Sequence, residues 1–483
     1  MTTESVNYNM RQLHVLRILA GFILGLSGNF IHQMISGTTY LDIPSLKSAQ
    51  YGCSPCEDPN KIRAKPCPYC GPQKMTMEND GNIIDAYKPK GMYEITRWYY
   101  FDEAYLYDII NDEPKVKLAG SYYEETQAVT QVALEYINAN NMLGKKWHLV
   151  GIENGYMRTD VFRGTDYILD VAVKSVEKYE SESIHTTFRV RMVHAFQEKG
   201  SSLKVTSQHV EPNIGIHIIA PVSGDDMALE NFVKIFAEKR STRDKLTLVL
   251  FNGKGHFGDQ SITLKPKVDE LINQFPNSMI NVIEAEGDYN FLVGIKEAAR
   301  GVDNNDIILT LNIDMHFGQD LLKTCKLIST PQKRVYFPIA FSQYDPEIIE
   351  RGMPPGKPKN INKMDINKFT GYWMHKKHNF ICAYKEDLTK IVDGVLVSIE
   401  SAQTTDPSKE GGTDIYNSFL SDNVEVISAV EPDLIRIYRQ RSCDRRFMVD
   451  EEYNYCFKTA AEMLGSKPTL SILYLTEIAL KKV

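Results

Sequence analysis

The sequence predicts an α/β protein with a mostly parallel central sheet, preceded by a smaller α+β region and an N-terminal transmembrane helix. From residue 214 onward, short apolar stretches alternate with stretches of helical period, the pattern of βαβ units. Residues 306–317, Asp-Ile-Ile-Leu-Thr-Leu-Asn-Ile-Asp-Met-His-Phe, form an apolar, partly β-branched run that ends in a carboxylate. Such a run reads as a strand buried on both faces, and ligands of open α/β sheets gather where strands of this kind end. Residues 15–36 are mostly apolar behind a short polar start.

That apolar stretch is about the length that spans a bilayer. With Arg11 before it and Arg17 near its start, it predicts a cytoplasmic tail over 1–14, a single-pass type II anchor over 15–36 and the remainder translocated. Arg17, Asn29, His32 and Gln33 interrupt the run, so a cleaved signal peptide and a buried soluble helix remain as alternatives. Residues 37–92 lack periodicity and read as a Cys-rich stem. There Cys53, Cys56, Cys67 and Cys70 have the C-x2-C-x10-C-x2-C spacing of a zinc site. Behind an anchor, in a Pro-rich segment, two disulfides are favoured over zinc. Cys325, Cys382, Cys443 and Cys456 are left as two further bridges or as buried thiols.

The α+β region spans 93–210, with a helix over 123–138 and a strand over 186–193, and nothing in it has the spacing of a catalytic constellation. The final region spans 211–483. It opens with strands over 214–222, 246–251, 279–284 and 306–311, separated by helices over 227–239, 267–275 and 291–300. No G-x-G-x-x-G follows the first strand, where Pro221-Val-Ser-Gly224 occupies the turn, so a dinucleotide fingerprint is absent there, and no P-loop occurs. A net charge of −7 argues against nucleic acid as a partner.

Asp314, beside Asn312, ends the fourth of these strands and suits a hard divalent cation such as Mn²⁺ or Mg²⁺, which bridges to a nucleotide diphosphate. The plainer reading is a surface Asp in a strand-end turn. Aromatics stand beside polar residues in 336–346, 370–373 and 410–417, clusters that suit sugar rings and also ordinary half-buried loops.

Residues 211–460 resemble the glycosyltransferase domain of chondroitin synthases and of chondroitin N-acetylgalactosaminyltransferases. The resemblance is carried by His217-Ile-Ile-Ala-Pro-Val-Ser-Gly224, by 312–317, by Phe337-Pro-Ile-Ala-Phe-Ser-Gln-Tyr-Asp-Pro346, by Thr370-Gly-Tyr-Trp373 and by Cys443-Asp444. Weaker similarity runs back through Asn154-Gly-Tyr and 163–170. The resemblance implies a GT-A fold and transfer from a UDP-sugar, usually UDP-GalNAc, onto a chondroitin chain. It also implies Mn²⁺ and residence in the Golgi membrane with the catalytic domain lumenal. Carried over residue by residue, it gives Asp314 and Asn312 as metal ligands, Pro221, Ser223 and Asn312 as donor contacts, Gln343, Tyr344 and Trp373 as acceptor contacts, and Asp414 as base.

Departures concentrate at the expected chemistry. The family's Asp-x-Asp is Asn312-Ile313-Asp314 here. Expected arginines fall on Asp225 and Phe291, and the late histidines, one of them a metal ligand by resemblance, fall on Arg436, Tyr438 and Arg439. The base motif aligns in two ways: one places Gly411-Gly412 at its carboxylates, the other keeps Asp414 as base. Two functions therefore stand side by side, a UDP-sugar transferase with an altered site and a non-catalytic partner, akin to a polymerising factor, that associates with an active chondroitin synthase.

Overall fold

The computed structural model describes Pro89, Glu94 and residues 98–481, apart from 111–112, 141–145, 161–162, 176–183, 197–201, 211, 223–225, 254–263, 353–363, 403–411, 423, 441–442, 444 and 446–449. The stretch 15–36, the stem cysteines Cys53, Cys56, Cys67 and Cys70, and the residues Ser223 and Asp225 lie outside the described residues.

The first sheet is antiparallel throughout, in the order β3-β2-β1-β4-β5-β6-β7. Its strands are β1 (Tyr99–Phe101), β2 (Tyr105–Ile110), β3 (Glu113–Lys117), β4 (Trp147–Asp160), β5 (Gly164–Ser175), β6 (Ile184–Ala195) and β7 (Ser202–Val210). Helix α1 (Gly120–Ala139) lays Val129, Ala133 and Ile137 on one face, against Trp147, Leu169 and Val171. Between β4 and β5 the chain turns at Gly164, where φ is 134° and an added Cβ would lie 2.1 Å from the His194 carbonyl oxygen, so only glycine fits.

A polar row crosses the middle strands of this sheet. Asn154, Asp170 and Arg189 are register partners on β4, β5 and β6. Arg189 donates Nε and Nη2 to the two Asp170 oxygens at 2.6 and 2.5 Å, Asn154 Nδ2 donates to Asp170 at 3.1 Å, and Tyr100 Oη donates to Asn154 at 3.0 Å. Buried charges persist only when paired and hydrogen-bonded in this way. Arg191, farther along β6, binds Glu425 of the second sheet, which also accepts from Arg334, and Lys323 pairs with Glu153.

The second sheet has nine strands in the order β10-β9-β8-β11-β15-β13-β16-β12, with β14 paired to β13. These are β8 (Ile216–Val222), β9 (Lys245–Phe251), β10 (Ile280–Ala285), β11 (Ile307–Thr310), β12 (Met315–Phe317), β13 (Arg334–Gln343), β14 (Gly371–Trp373), β15 (Ile381–Tyr384) and β16 (Glu425–Arg436). Alternation fills both faces. Ile216, Ile218, Leu246, Leu248, Ile307 and Leu309 look one way, whereas Ile219, Val249 and Ile308 look the other. Helices α2 (Asp226–Lys239), α3 (Lys265–Gln274) and α5 (Gln319–Ile328) contribute to the first layer, and α4 (Phe291–Ala299), α7 (Lys385–Ala402) and α8 (Gly412–Ser421) to the second.

The expectation of a mostly parallel sheet needs correction. Strands β8 to β11 are parallel, as are β13 and β16, but β15 runs antiparallel between β11 and β13, and β12 and β14 are antiparallel edge pairs. Strand β15 is buried on both faces, so its apolar run Ile-Cys-Ala carries no signal of direction.

The Golgi, single-pass type II placement is also corrected: among the described residues no helix is long and apolar enough to cross a membrane. The 20-residue α1 buries one stripe and exposes Tyr122 and Tyr123, as a helix packed on a sheet must. Two disulfides form among the described residues, Cys325–Cys382 from α5 to β15 and Cys443–Cys456 into α9 (Asp450–Glu462). The short helix α6 (Pro346–Gly352) follows β13. The C-terminal helix α10 (Lys467–Lys481) falls in a separate compact unit.

Candidate functional site

Strand β8 leads through α2 to β9 on one side, while β11 pairs with its other side. The C-terminal ends of β8 and β11 therefore form a topological switch point, where open α/β sheets bind ligands. Pairing holds from Ile216↔Ile307 to Ile219↔Thr310, with a last bond from Leu311 N to the Ile219 carbonyl at 3.0 Å. Pro221 follows. It has no N–H to offer a neighbouring strand, and its ring packs on Gly294 of α4, where a Cβ would lie 3.0 Å away. Pro221 thus stands where the two strands part.

Beyond β11 the chain turns, Met315 N donating to the Asn312 carbonyl at 3.3 Å. Asp314 is held on both ends. Its carbonyl accepts from Ile437 N at 2.9 Å, and its Oδ2 accepts from Arg436 Nε at 2.9 Å, the two side chains being 13% and 6% exposed. Arg436 is the register partner of both Met315 and Ser342, and Ser342 is the partner of Tyr372. Residues directly opposite one another share a face, so Arg436, Ser342 and Tyr372 form a row across three strands. Burial pushes the Tyr372 phenol above its usual range, and the nearby Arg436 charge opposes that rise.

Next to this row, Tyr344 stacks on Tyr372 with ring centroids 5.5 Å apart. Gln343 Oε1 accepts from Tyr438 N at 3.2 Å, and the Tyr438 hydroxyl donates to Asp345 at 2.8 Å. Burial, reinforced by Asp345, raises the Tyr438 phenol. The other oxygen of Asp345 accepts from Glu347 N at 2.9 Å and so caps the start of α6.

The structure brings Asn312, Asp314, Gln343 and Tyr344 into one neighbourhood and adds Arg436, Tyr372 and Tyr438. Trp373 turns away from it. Only 3% exposed, its indole donates to the Pro114 carbonyl at 2.8 Å and packs edge-on against Phe341. Asp414 is half-buried in the first turn of α8. Helix α8 packs on β16 and β13 through Tyr416, which meets Phe337 edge-on, and its core residues belong to the opposite face of the sheet from Met315 and Ile435, so the structure does not bring Asp414 together with Asp314 and Arg436. Phe291 is buried in the core at the start of α4, which Asn290 caps. The extended alternation Arg436-Ile437-Tyr438 was the sequence signal that could have placed Arg436 and Tyr438 on one face.

The described residues do not fit a resident divalent cation. Asn312 offers a neutral carbonyl, the Asp314 carboxylate is already on a guanidinium that would repel a dication, and no cluster of three His, Cys, Asp or Glu side chains converges among the described residues. What the arrangement offers instead is a buried cation, polar groups and a stacked aromatic pair at a strand-end site.

Fold and geometry together define an α/β protein with a candidate ligand site at a sheet switch point. The sequence profile described as chondroitin N-acetylgalactosaminyltransferase matches residues 71–470, and the chain belongs to that family. Mouse chondroitin sulfate synthase 3 is 24% identical over 81% of this chain and 47% of its own length. Human chondroitin sulfate N-acetylgalactosaminyltransferase 2 is 25% identical over 73% of this chain and 64% of its own, and mouse chondroitin sulfate synthase 2 is 24% identical over 80% and 49%. The chain thus spans about half the length of the synthases it matches. Among solved structures, the apo-form glycosyltransferase GlyE of Streptococcus pneumoniae covers 53% of this chain at 11% identity with a TM-score of 0.28, too low to define the fold.

Proposed function

We propose that the protein serves chondroitin biosynthesis as a GT-A-fold partner of an active chondroitin synthase and transfers little or no sugar by metal-dependent chemistry of its own. The observation that carries this reading is the Arg436–Asp314 ion pair: the one carboxylate retained from the family's metal motif is engaged by a guanidinium at 2.9 Å. Phe291, where a donor-site arginine is expected, is buried apolar surface. Together these features withdraw much of the electrostatic stabilisation on which a phosphate leaving group depends. The strand order around β8 and β11, the Pro221 end of β8 and the 337–346 block keep the scaffold.

A second reading, an active transferase moving GalNAc from UDP-GalNAc to a glycosaminoglycan, is favoured by Asp414, a half-buried carboxylate kept in the first turn of α8. A radiolabelled UDP-sugar transfer assay on chondroitin oligosaccharides with Mn²⁺ separates the two. The partner reading expects background counts from the protein alone and increased polymerisation when it is co-expressed with an active synthase. Robust turnover by the protein alone, lost in Asp414→Asn, would establish the second reading instead.

A further inference from the structure

The mismatch between the site and a divalent cation points to what the site does hold. Arg436 is nearly buried, and its Nε faces Asp314, which stands directly after the strand end where a nucleotide diphosphate is expected. A guanidinium offers five donors in a rigid plane, and the fork of its terminal nitrogens matches two oxygens of a phosphate. With Nε fixed by Asp314, the plane is oriented before any ligand arrives, and the backbone on both sides is held by pairing to Met315 and Ser342. Its single permanent charge cannot be removed by a chelator. The stacked Tyr344 and Tyr372 lie alongside, and aromatic faces accept a base or a sugar ring.

We infer that Arg436 takes the place of the divalent cation, so that the site binds the diphosphate of a uridine nucleotide without metal. This rests on the reading of the protein as a member that keeps the donor scaffold, and it adds the ligand: the partner subunit retains a nucleotide, held by a guanidinium in place of a metal bridge.

The charge arrangement makes the role of Asp314 opposite in sign to that in a metal site. Where a metal bridges carboxylate and diphosphate, removing the carboxylate abolishes binding. Here Asp314 competes with the diphosphate for one guanidinium, so neutralising it retains or strengthens binding. Calorimetric titration of the full chain with UDP, in EDTA and separately in Mn²⁺, reads this directly. Affinity is expected to agree in the two buffers to within about twofold, and uridine to bind about tenfold or more weakly, since the phosphates carry the charge contact. Arg436→Gln is expected to weaken UDP about tenfold in both buffers, Arg436→Lys to retain metal-free binding, and Asp314→Asn to bind UDP as tightly as wild type or more so. Thermal melts of each variant identify any that fail to fold, and the Lys and Asn variants give two independent readings. UDP binding that requires Mn²⁺, its loss in Asp314→Asn, or no UDP binding in either buffer would overturn the inference. Turnover in the transfer assay bears on the partner reading alone, so metal-free UDP binding accompanied by turnover would refute that reading and leave this one standing.

Discussion

At the level of single residues, the protein buries several ionisable groups away from the candidate ligand site, and their environments fix how stability responds to pH. Glu431 on β16 is fully enclosed, accepts from the Tyr336 hydroxyl at 3.1 Å, and is pushed up to about 8 by burial and then by the neighbouring Asp433 charge. Asp433 is itself raised to about 6, chiefly by burial, although it accepts from Asp320 N and Leu321 N at the start of α5. Glu425 goes the other way. Its burial is outweighed by Arg191 and Arg334, and it is held down to about 2. In the folded state Glu431 and Asp433 keep protons that the unfolded chain releases, so the stability tied to them is complete in acid and is lost as pH rises toward 8. The stability from Glu425 is complete above its unfolded value near 4.5 and is lost as pH falls toward 2. Denaturant unfolding should therefore be most favourable to the fold at about pH 4 and weaken toward pH 8, with a slope of up to about 1.4 kcal/mol per pH unit from Glu431 alone. Glu431→Gln should flatten that slope, and an unchanged slope would remove Glu431 as its source.

At the level of elements, the apolar alternation was legible and the polar rows were not. The helix expected over 123–138 is α1, and the strands expected from residue 214 are β8 to β11 with boundaries shifted by one or two residues. The antiparallel sheet was largely illegible because β4, β5 and β6 bury Asn154, Arg158, Asp166, Asp170 and Arg189 on their inner faces, which reads as polar sequence until the pairing is known. Thus the Asn154-Gly-Tyr and 163–170 blocks, quoted for their likeness to the family, are structural: Gly155 leaves room for the Phe101 ring, which a Cβ would meet at 2.4 Å. Gly371 does the same between β13 and β14, where a Cβ would fall 2.1 Å from the Ser342 carbonyl oxygen. Gly371→Ala should cost about 1–3 kcal/mol by forcing β14 from β13. Gly394→Ala, in α7 with open space around it, should stabilise by roughly 0.5–1 kcal/mol. Chemical denaturation of the two variants checks both signs, and equal effects would refute the contact argument.

At the level of the whole molecule, the sequence identified the family and the strand ends that form the sheet's switch point, but the state of the candidate site depended on a contact between residues 122 positions apart. Asp314 and Asn312 were visible as a weakened metal motif. That Arg436 closes on Asp314 required β16 to run beside β12, an edge pairing that no local pattern announces. The same gap hid the joining of the two sheets by Arg191, Glu425 and Arg334. If a guanidinium has displaced the metal, the chain has no site for Mn²⁺, which electron paramagnetic resonance reads as free or bound ion. The full chain is expected to leave added Mn²⁺ free in solution, and the double variant Asn312→Asp with Arg436→His, which supplies a second carboxylate and removes the permanent charge, is expected to bind it. Stoichiometric Mn²⁺ on the wild-type chain, released by Asp314→Ala, would contradict the account.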